Sequence, residues 1–185
     1  MIITSDPNII AHVLQQGGII AYPTEAVWGL GCNPHNQAAV IKLLDIKSRP
    51  MHKGMILVAG NKTHLAPWLA QLNPELQTKL TTRYPSPTSW IVPDQGIAPT
   101  WVRGEHQSIA LRLSQHEGVQ AICQAFNACI VSTSANPAGL DPALSLEEVM
   151  VYFRDKIDAI FDVPLGQSKQ PSQIKSLLDD QVIRQ

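Results

Sequence analysis

The sequence has few charged and few aromatic residues, which make up 16% and 5% of its 185 residues. It lacks any run of about 18 apolar residues, the length that a membrane-spanning helix requires. Residues 1–7 contain neither the basic nor the apolar stretch of a secretion signal, so we expect a cytoplasmic protein. Because 44% of the residues are hydrophobic, the chain can fill the core of one compact domain, which we assign to residues 1–185.

Cysteine is also scarce, and the three thiols of Cys32, Cys123 and Cys129 cannot all be paired in disulfides. No Cys-x-x-Cys pair is present, and no histidine lies at a metal-ligand spacing from any of the three. We therefore predict buried free thiols in a reducing compartment, and no metal site built from protein side chains.

Positive charge is absent from the first 41 residues and concentrated in the middle of the chain. The formal net charge of the whole chain is −1, but residues 42–112 contain nine Lys or Arg and four Asp or Glu. The net charge excludes a protein that is basic overall. The basic middle third is compatible with a local anion site, and equally with bases scattered over solvated faces.

Helical and strand patterns alternate along the chain, which predicts an α/β domain. Capping residues and apolar periodicity predict helices over 7–16, 36–47, 73–83, 117–126 and 145–153. Apolar runs predict strands over 18–22, 54–59, 88–92, 108–113 and 129–132, with edge strands over 159–163 and 181–184. We expect a twisted mixed sheet with flanking helices.

Three loops rich in small polar or basic residues, over 22–31, 47–54 and 131–139, are each adjacent to an apolar strand. In open α/β sheets such loops gather ligands. The second loop has three cations within seven residues and no acid, which suits a polyphosphate. The third offers hydroxyl and amide groups for phosphate or ribose oxygens. Taken singly, each loop is better explained as an ordinary turn, helix end or strand exit.

Arg112 stands inside an apolar run, Ile109 to Leu113. Strand alternation places it on one face with Ala110 and puts the larger aliphatic residues on the other. An arginine on a central strand needs an anionic partner. Either Glu25 or the carboxylate of a substrate could supply it.

The ordered set of these motifs resembles the TsaC/YrdC family of threonylcarbamoyl-AMP synthases, in its short single-domain bacterial form. The similarity runs from about residue 4 to residue 184, with local departures at Ser86 and over 137–139. The matching motifs are Pro23–Gly31, Lys47–Pro50, Ile109–Arg112, Ser132–Asn136, Pro171–Ile174 and Val182–Arg184.

The resemblance implies a YrdC-like fold with a concave basic face, and a specific reaction. L-threonine, bicarbonate or CO2, and ATP would give threonylcarbamoyl-AMP and pyrophosphate. Partner proteins would then transfer the threonylcarbamoyl group to the adenosine next to the anticodon of tRNA. A magnesium ion would accompany ATP, held mainly by the phosphates.

The resemblance also implies residue roles. Catalysis would rest on charge stabilisation by Lys47, Arg49 and Lys53 along the triphosphate, with no side-chain nucleophile. The nucleotide would further contact Ser132, Ser134, Asn136 and Arg184. L-threonine would be bound by Thr24, Arg112, Thr133 and Ser172.

Two other functions fit the same residues. A basic concave face could bind tRNA or double-stranded RNA, weakly beside the enzyme activity or as the sole function. An O-carbamoyltransferase that uses carbamoyl phosphate would need similar anion contacts. Product analysis separates both from the synthase.

Overall fold

The computed structural model describes residues 1–184, and all ten of its strands belong to one mixed sheet. The strands are β1 (Ile2–Thr4), β2 (Ile20–Pro23), β3 (Trp28–Cys32), β4 (Ile56–Ala59), β5 (Thr88–Pro93), β6 (Ser108–Leu113), β7 (Ile130–Ser134), β8 (Ala159–Phe161), β9 (Gln173–Ser176) and β10 (Val182–Arg184). The predicted α/β class with a mixed sheet is confirmed.

Seven α-helices connect these strands within residues 1–184, and all five predicted helices are among them. Single 3-10 turns form over Met51–Lys53 and Lys62–Leu65. The helices are α1 (Pro7–Gln15), α2 (Gln37–Ile46), α3 (Ala66–Leu69), α4 (Pro74–Thr81), α5 (Thr100–Arg103), α6 (Glu117–Phe126) and α7 (Leu146–Phe153).

Side-chain caps begin four of the five longer helices where the sequence predicts them; α6 has none. The side chains of Asp6, Asn36, Asn73 and Ser145 accept hydrogen bonds from backbone N–H groups in the first turns of α1, α2, α4 and α7. These bonds satisfy amides that have no partner within the helix. None of the helices described over residues 1–184 is long and apolar enough to cross a membrane.

The strand order across the sheet is β1-β8-β2-β3-β7-β4-β6-β5-β9-β10. Parallel pairing joins β1 to β8, β8 to β2, β4 to β6 and β5 to β9, and the other neighbours are antiparallel. Strands from the beginning, middle and end of the sequence are thus interleaved in one layer.

Hydrophobic cores form on both faces of the sheet. On one face, α2, α4 and α7 contribute Val40, Leu80 and Phe153 to the larger core, which also contains Leu57 and Leu111 of the sheet. On the other face, α1 and α6 pack over residues that include Ile20, Val58 and Ile130. All three cysteines are buried and free, as predicted.

The face that α1 and α6 cover at one end is open at the other. Ser132, Ile56, Ala110 and Ile91 are consecutive Cα partners across β7, β4, β6 and β5, and all four line an open cavity. The sheet therefore forms the floor of the cavity. These four residues lie next to the row that contains Ile130 and Val58 of the buried core.

The sequence patterns predict seven of the ten strands; they miss β1, β3 and β9 and misplace β8. The sequence predicts a loop over residues 22–31, but β3 turns back from β2 and pairs with both β2 and β7. Gly29 and Gly31 interrupt the apolar pattern of this strand. Glycine is needed at position 31, because a Cβ there would lie 2.6 Å from the Val131 carbonyl oxygen. The segment 159–163 was expected at an edge, but β8 is interior because β1 adds outside it.

Gly104 holds the segment after α5 against the 3-10 turn at Met51–Lys53. It has a φ of +69°, and a Cβ there would lie 2.5 Å from the His52 carbonyl oxygen. We expect Gly104→Ala to lower the free energy of unfolding by about 3 kcal/mol, through backbone strain and this clash. Thermal or urea denaturation measures the change.

Gly96 is the matched control, since its φ is +88° but a Cβ there meets nothing within 4 Å. Gly96→Ala should cost only about 1 kcal/mol, the conformational term alone. Equal losses in the two variants would show that the contact between these two segments does not constrain position 104.

Candidate active site

A cavity of about 770 Å³ opens over the uncovered part of the sheet. Its walls come from the loops that follow β2, α2 and β7, and from the C-terminal hairpin β9–β10. The structure brings all eleven predicted site residues to this one cavity: Thr24, Lys47, Arg49, Lys53, Arg112, Ser132, Thr133, Ser134, Asn136, Ser172 and Arg184.

The lining of the cavity is strongly basic. Among the described residues, Glu25 is its one acidic member. Burial and the nearby Arg184 lower the pKa of Arg49, and burial and the nearby Arg112 lower the pKa of Arg184. The guanidinium groups are thus close enough to repel one another, and an anion placed between them would relieve that repulsion.

Lys47 lies at the C-terminal end of α2, and its side chain is buried. Its ammonium donates to the carbonyl oxygen of Ser134 and to Oδ1 of Asn136, each at 2.8 Å, and also to the carbonyl oxygen of Asn136. Burial, reinforced by repulsion from Arg49, lowers the pKa of Lys47 to about 8.

Arg49 folds back over its own loop. Its Nε and Nη2 donate to the carbonyl oxygen of Gly54, at 3.2 and 2.9 Å. The same loop is tied to α5 and the residues after it, since the amide of Met55 donates to the carbonyl oxygen of Val102. The loop over residues 47–54, the cation loop, is therefore held in place by backbone bonds, and the exposed side chain of Lys53 projects from it.

Arg112 and Glu25 face each other at another part of the cavity wall, with Nη2 and Oε2 3.7 Å apart. Oε1 of Glu25 accepts hydrogen bonds from the Ser114 hydroxyl, at 2.7 Å, and from the Gln115 amide, at 3.0 Å. Burial raises the pKa of Glu25, but Arg112 and the Ser114 bond outweigh it, so the pKa lies below its usual range. Of the two partners that the sequence allowed for Arg112, Glu25 is thus the one that the protein itself supplies.

The separation of 3.7 Å exceeds a hydrogen-bond distance, and within the described chain Nε of Arg112 is buried without a hydrogen-bond partner. The guanidinium is therefore held by charge and retains unused donors. Nη1 and Nη2 make no hydrogen bond within residues 1–184 either, and a ligand carboxylate in the cavity is a natural acceptor for them.

Four other predicted residues, Thr24, Ser132, Ser172 and Arg184, make hydrogen bonds within the protein. The hydroxyl of Thr24 donates to the Val27 carbonyl oxygen at 2.7 Å, and the hydroxyl of Ser132 accepts from Tyr22 at 2.7 Å. Ser172 pairs with Ser89 at 3.0 Å between the two hydroxyl oxygens. The guanidinium of Arg184, in β10, donates to the Ser172 carbonyl oxygen at 3.3 Å, and both residues line the cavity.

Sequence reasoning missed two basic residues of the cavity, Arg103 and His106. Arg103 lies at the end of α5, where its Nε is 3.7 Å from the buried carboxylate of Asp94. No local pattern marks either residue, because α5 has only four residues and its approach to the cation loop is a tertiary contact.

Divalent cations in proteins are usually held by clusters of acidic or histidine side chains. Residues 1–184 contain no group of three or more His, Cys, Asp or Glu that could hold a metal ion. Glu25 already serves Ser114, Gln115 and Arg112. These side chains fit a magnesium ion only if the oxygens of a bound nucleotide and of water complete its coordination.

Sequence comparison identifies the family. The model of the Sua5/YciO/YrdC family, described as "Telomere recombination", matches residues 12–185, so the chain belongs to this family. A protein of Cellvibrio japonicus named threonylcarbamoyl-AMP synthase is 45% identical over 177 residues, which is 96% of this chain and 94% of that one. A protein of the same name from Pseudomonas aeruginosa is 46% identical over 174 residues, 94% of each chain. The predictions of this family and of an enzyme are thereby confirmed.

Solved structures share the fold. P. abyssi Sua5, solved in complex with L-threonine, superposes with a TM-score of 0.86 at 24% identity, over 95% of this chain and 54% of that one. E. coli YciO gives 0.81 at 23% identity, over 100% and 93%. The chain thus spans just over half the length of the P. abyssi protein and nearly all of YciO.

The lowered pKa of Lys47 predicts a pH dependence of anion binding. As pH rises through about 8, Lys47 loses its proton and the cavity loses one positive charge. With ATP as the polyanion probe, we expect the affinity of the cavity, measured calorimetrically, to fall roughly 3- to 10-fold between pH 7 and pH 9.

Lys47→Arg is the matched variant, because a guanidinium stays charged over this range. The decline should disappear in that variant, whatever its absolute affinity. If the same decline persists with arginine at position 47, another group is responsible for it.

Proposed function

We propose that this protein is a threonylcarbamoyl-AMP synthase. L-threonine and bicarbonate combine to a carbamate and water, and a carbamate oxygen then attacks the α-phosphorus of ATP. The bond from that phosphorus to the β-phosphate bridging oxygen breaks, so that threonylcarbamoyl-AMP and pyrophosphate are the products. The names of the curated relatives support this reaction.

The observation that carries the proposal is the arrangement of two anion-binding regions in one cavity. Arg49 and Lys53 suit a polyphosphate, while Arg112, which lines the cavity and is paired only with Glu25, suits a single carboxylate. Arg184 lies near both Arg49 and Arg112, since its charge lowers the pKa of Arg49 and the charge of Arg112 lowers the pKa of Arg184. A nucleotide and an amino acid can therefore be held side by side.

This arrangement needs no side-chain nucleophile. The carbamate is itself an anionic nucleophile, so the protein has to align it with the α-phosphorus and stabilise charge on the departing pyrophosphate. Arg49, Lys53 and Arg184 would supply that stabilisation. Thr24, Thr133 and Ser172 would hydrogen-bond the amino acid, and Ser132 the nucleotide.

A magnesium ion would enter with ATP and be coordinated mainly by phosphate oxygens and water. When bound, it would neutralise part of the triphosphate charge. The chain's own part is to leave room for the ion beside the basic wall, without a carboxylate cluster.

We further propose that the product is passed on in the cytoplasm. A mixed anhydride of a carbamate and a phosphate is readily hydrolysed, so partner proteins would take threonylcarbamoyl-AMP and transfer its acyl group to the adenosine next to the anticodon of tRNA. The basic face could also bind tRNA weakly.

Radiolabelled bicarbonate tests the reaction directly. We expect label to enter a nucleotide product, with equimolar pyrophosphate, only when threonine, ATP and magnesium are all present. Cleavage of ATP to AMP and pyrophosphate when carbamoyl phosphate replaces threonine and bicarbonate would favour the O-carbamoyltransferase. Salt-dependent RNA binding without pyrophosphate release would favour the RNA-binding module.

Arg112 can be tested against its proposed carboxylate. Removing the arginine alone would leave Glu25 as an unpaired buried charge, so we choose Arg112→Met in a Glu25→Gln background. The apparent KM for threonine should rise roughly 10- to 100-fold relative to Glu25→Gln, the loss of about 1.5–3 kcal/mol expected for bonds to a charged group.

The KM for ATP should change less than threefold in the same comparison. An unchanged KM for threonine would refute the carboxylate assignment. A parallel rise in both KM values would mean that Arg112 serves the nucleotide.

A further inference from the structure

Lys47, Ser134 and Asn136, which the sequence motifs assign to the nucleotide, are hydrogen-bonded to one another. An ammonium group has three N–H donors. All three donors of Lys47 are matched by oxygens of the loop after β7: the Ser134 carbonyl, the Asn136 carbonyl and the Asn136 side chain. Lys47 therefore has no donor left for a phosphate in this arrangement.

The side chain of Asn136 is equally occupied. Its Oδ1 accepts from Lys47, at 2.8 Å, and from the Ser134 hydroxyl, at 2.7 Å. Its Nδ2 donates to the carbonyl oxygens of Leu140, at 2.7 Å, and Pro137, at 3.2 Å. A carboxamide offers two acceptor and two donor positions, so all four are used.

The segment that these bonds hold is the loop 134–140, which forms one wall of the cavity. Residues 138–140 are exposed, and Gly139 has a φ of +82°. Lys47 reaches this loop from the end of α2, so its bonds join the cation loop to the loop 134–140. The side chain of Asn136 extends this connection by donating to the Leu140 carbonyl oxygen.

We propose that Lys47 is a positioning residue, which acts through Asn136 to hold the loop 134–140 as the wall of the nucleotide site. Its effect on the nucleotide rests on the proposed function, whereas its hold on the loop does not. Arg49, Lys53 and Arg184 then make the direct contacts to phosphate. The alternative is that Lys47 leaves the loop and binds phosphate itself.

Leaving the loop would break three charge-assisted bonds, which are stronger than neutral ones. Lys53, in contrast, is exposed, and its ammonium has no hydrogen-bond partner among residues 1–184. The same cavity thus contains one lysine engaged with the protein and one available to a ligand.

Hydrogen exchange in the ligand-free protein tests the hold on the loop. The amide of Leu140 donates to the Pro137 carbonyl oxygen at 3.2 Å, inside the supported segment. We expect Lys47→Met and Asn136→Ala each to speed exchange of this amide at least tenfold. Lys53→Met, the matched control, should leave it unchanged, and unchanged exchange in Lys47→Met would overturn the proposal.

A double-mutant cycle tests the route of action. If Lys47 works through Asn136, Lys47→Met combined with Asn136→Ala should weaken ATP binding no more than the larger single effect. Lys53→Met combined with Asn136→Ala should instead show additive losses. Additive losses in the Lys47 cycle would assign Lys47 to direct phosphate contact.

The kinetic signature is a rise in the KM for ATP in Lys47→Met, with the KM for threonine within a factor of three of wild type. A loss of global stability alone would not separate the two constants. If Lys47→Met fails to fold, Ser134→Ala serves instead, because it removes only the hydroxyl bond to Asn136 and should speed Leu140 exchange by a smaller factor. Exchange and ATP binding need no turnover, so a protein without synthase activity would leave this test intact.

Discussion

Mutual repulsion of positive charges is the constraint on which the rest of this structure depends. Several cations line one cavity, and burial and proximity lower the pKa of Lys47, Arg49 and Arg184. Such a cluster costs free energy unless each charge is met by a dipole or an opposite charge. Backbone carbonyl oxygens meet Lys47 and Arg49, and a single carboxylate, Glu25, meets Arg112.

Because the cations of the cavity are compensated in different ways, some of them keep free N–H donors and others do not. Groups fully bonded to carbonyl oxygens, such as the ammonium of Lys47, shape the walls. Groups held only by charge, such as Arg112, retain donors for a ligand. The chemistry of the cavity therefore depends on which cations the protein has already engaged, and less on their number.

Much of the fold follows from local signals, since the capped helices and the apolar strands lie where their patterns indicate. The strand at 28–32 is not predicted, because glycines at its alternate positions break the apolar pattern. These glycines allow the neighbouring backbone to approach closely. Eight of the eleven predicted site residues can be found because they cluster in three loops, and Arg112 because it interrupts an apolar strand. Ser172 and Arg184 have no such local signal and follow only from the family resemblance. Arg103 and His106 cannot be found in the sequence, since only tertiary packing brings α5 to the cation loop. The choice between Glu25 and a ligand for Arg112 likewise required side-chain geometry.

The β9–β10 hairpin has a thermodynamic consequence. β10 has three residues, all of them exposed, and its one neighbour in the sheet is β9, so it opens more readily than interior strands. Arg184 belongs to β10, so whatever frees this strand also withdraws a positive charge from the cavity. By linkage, any anion that favours the docked arginine must tighten the sheet edge, and a stiffer edge must raise affinity for that anion by the same factor.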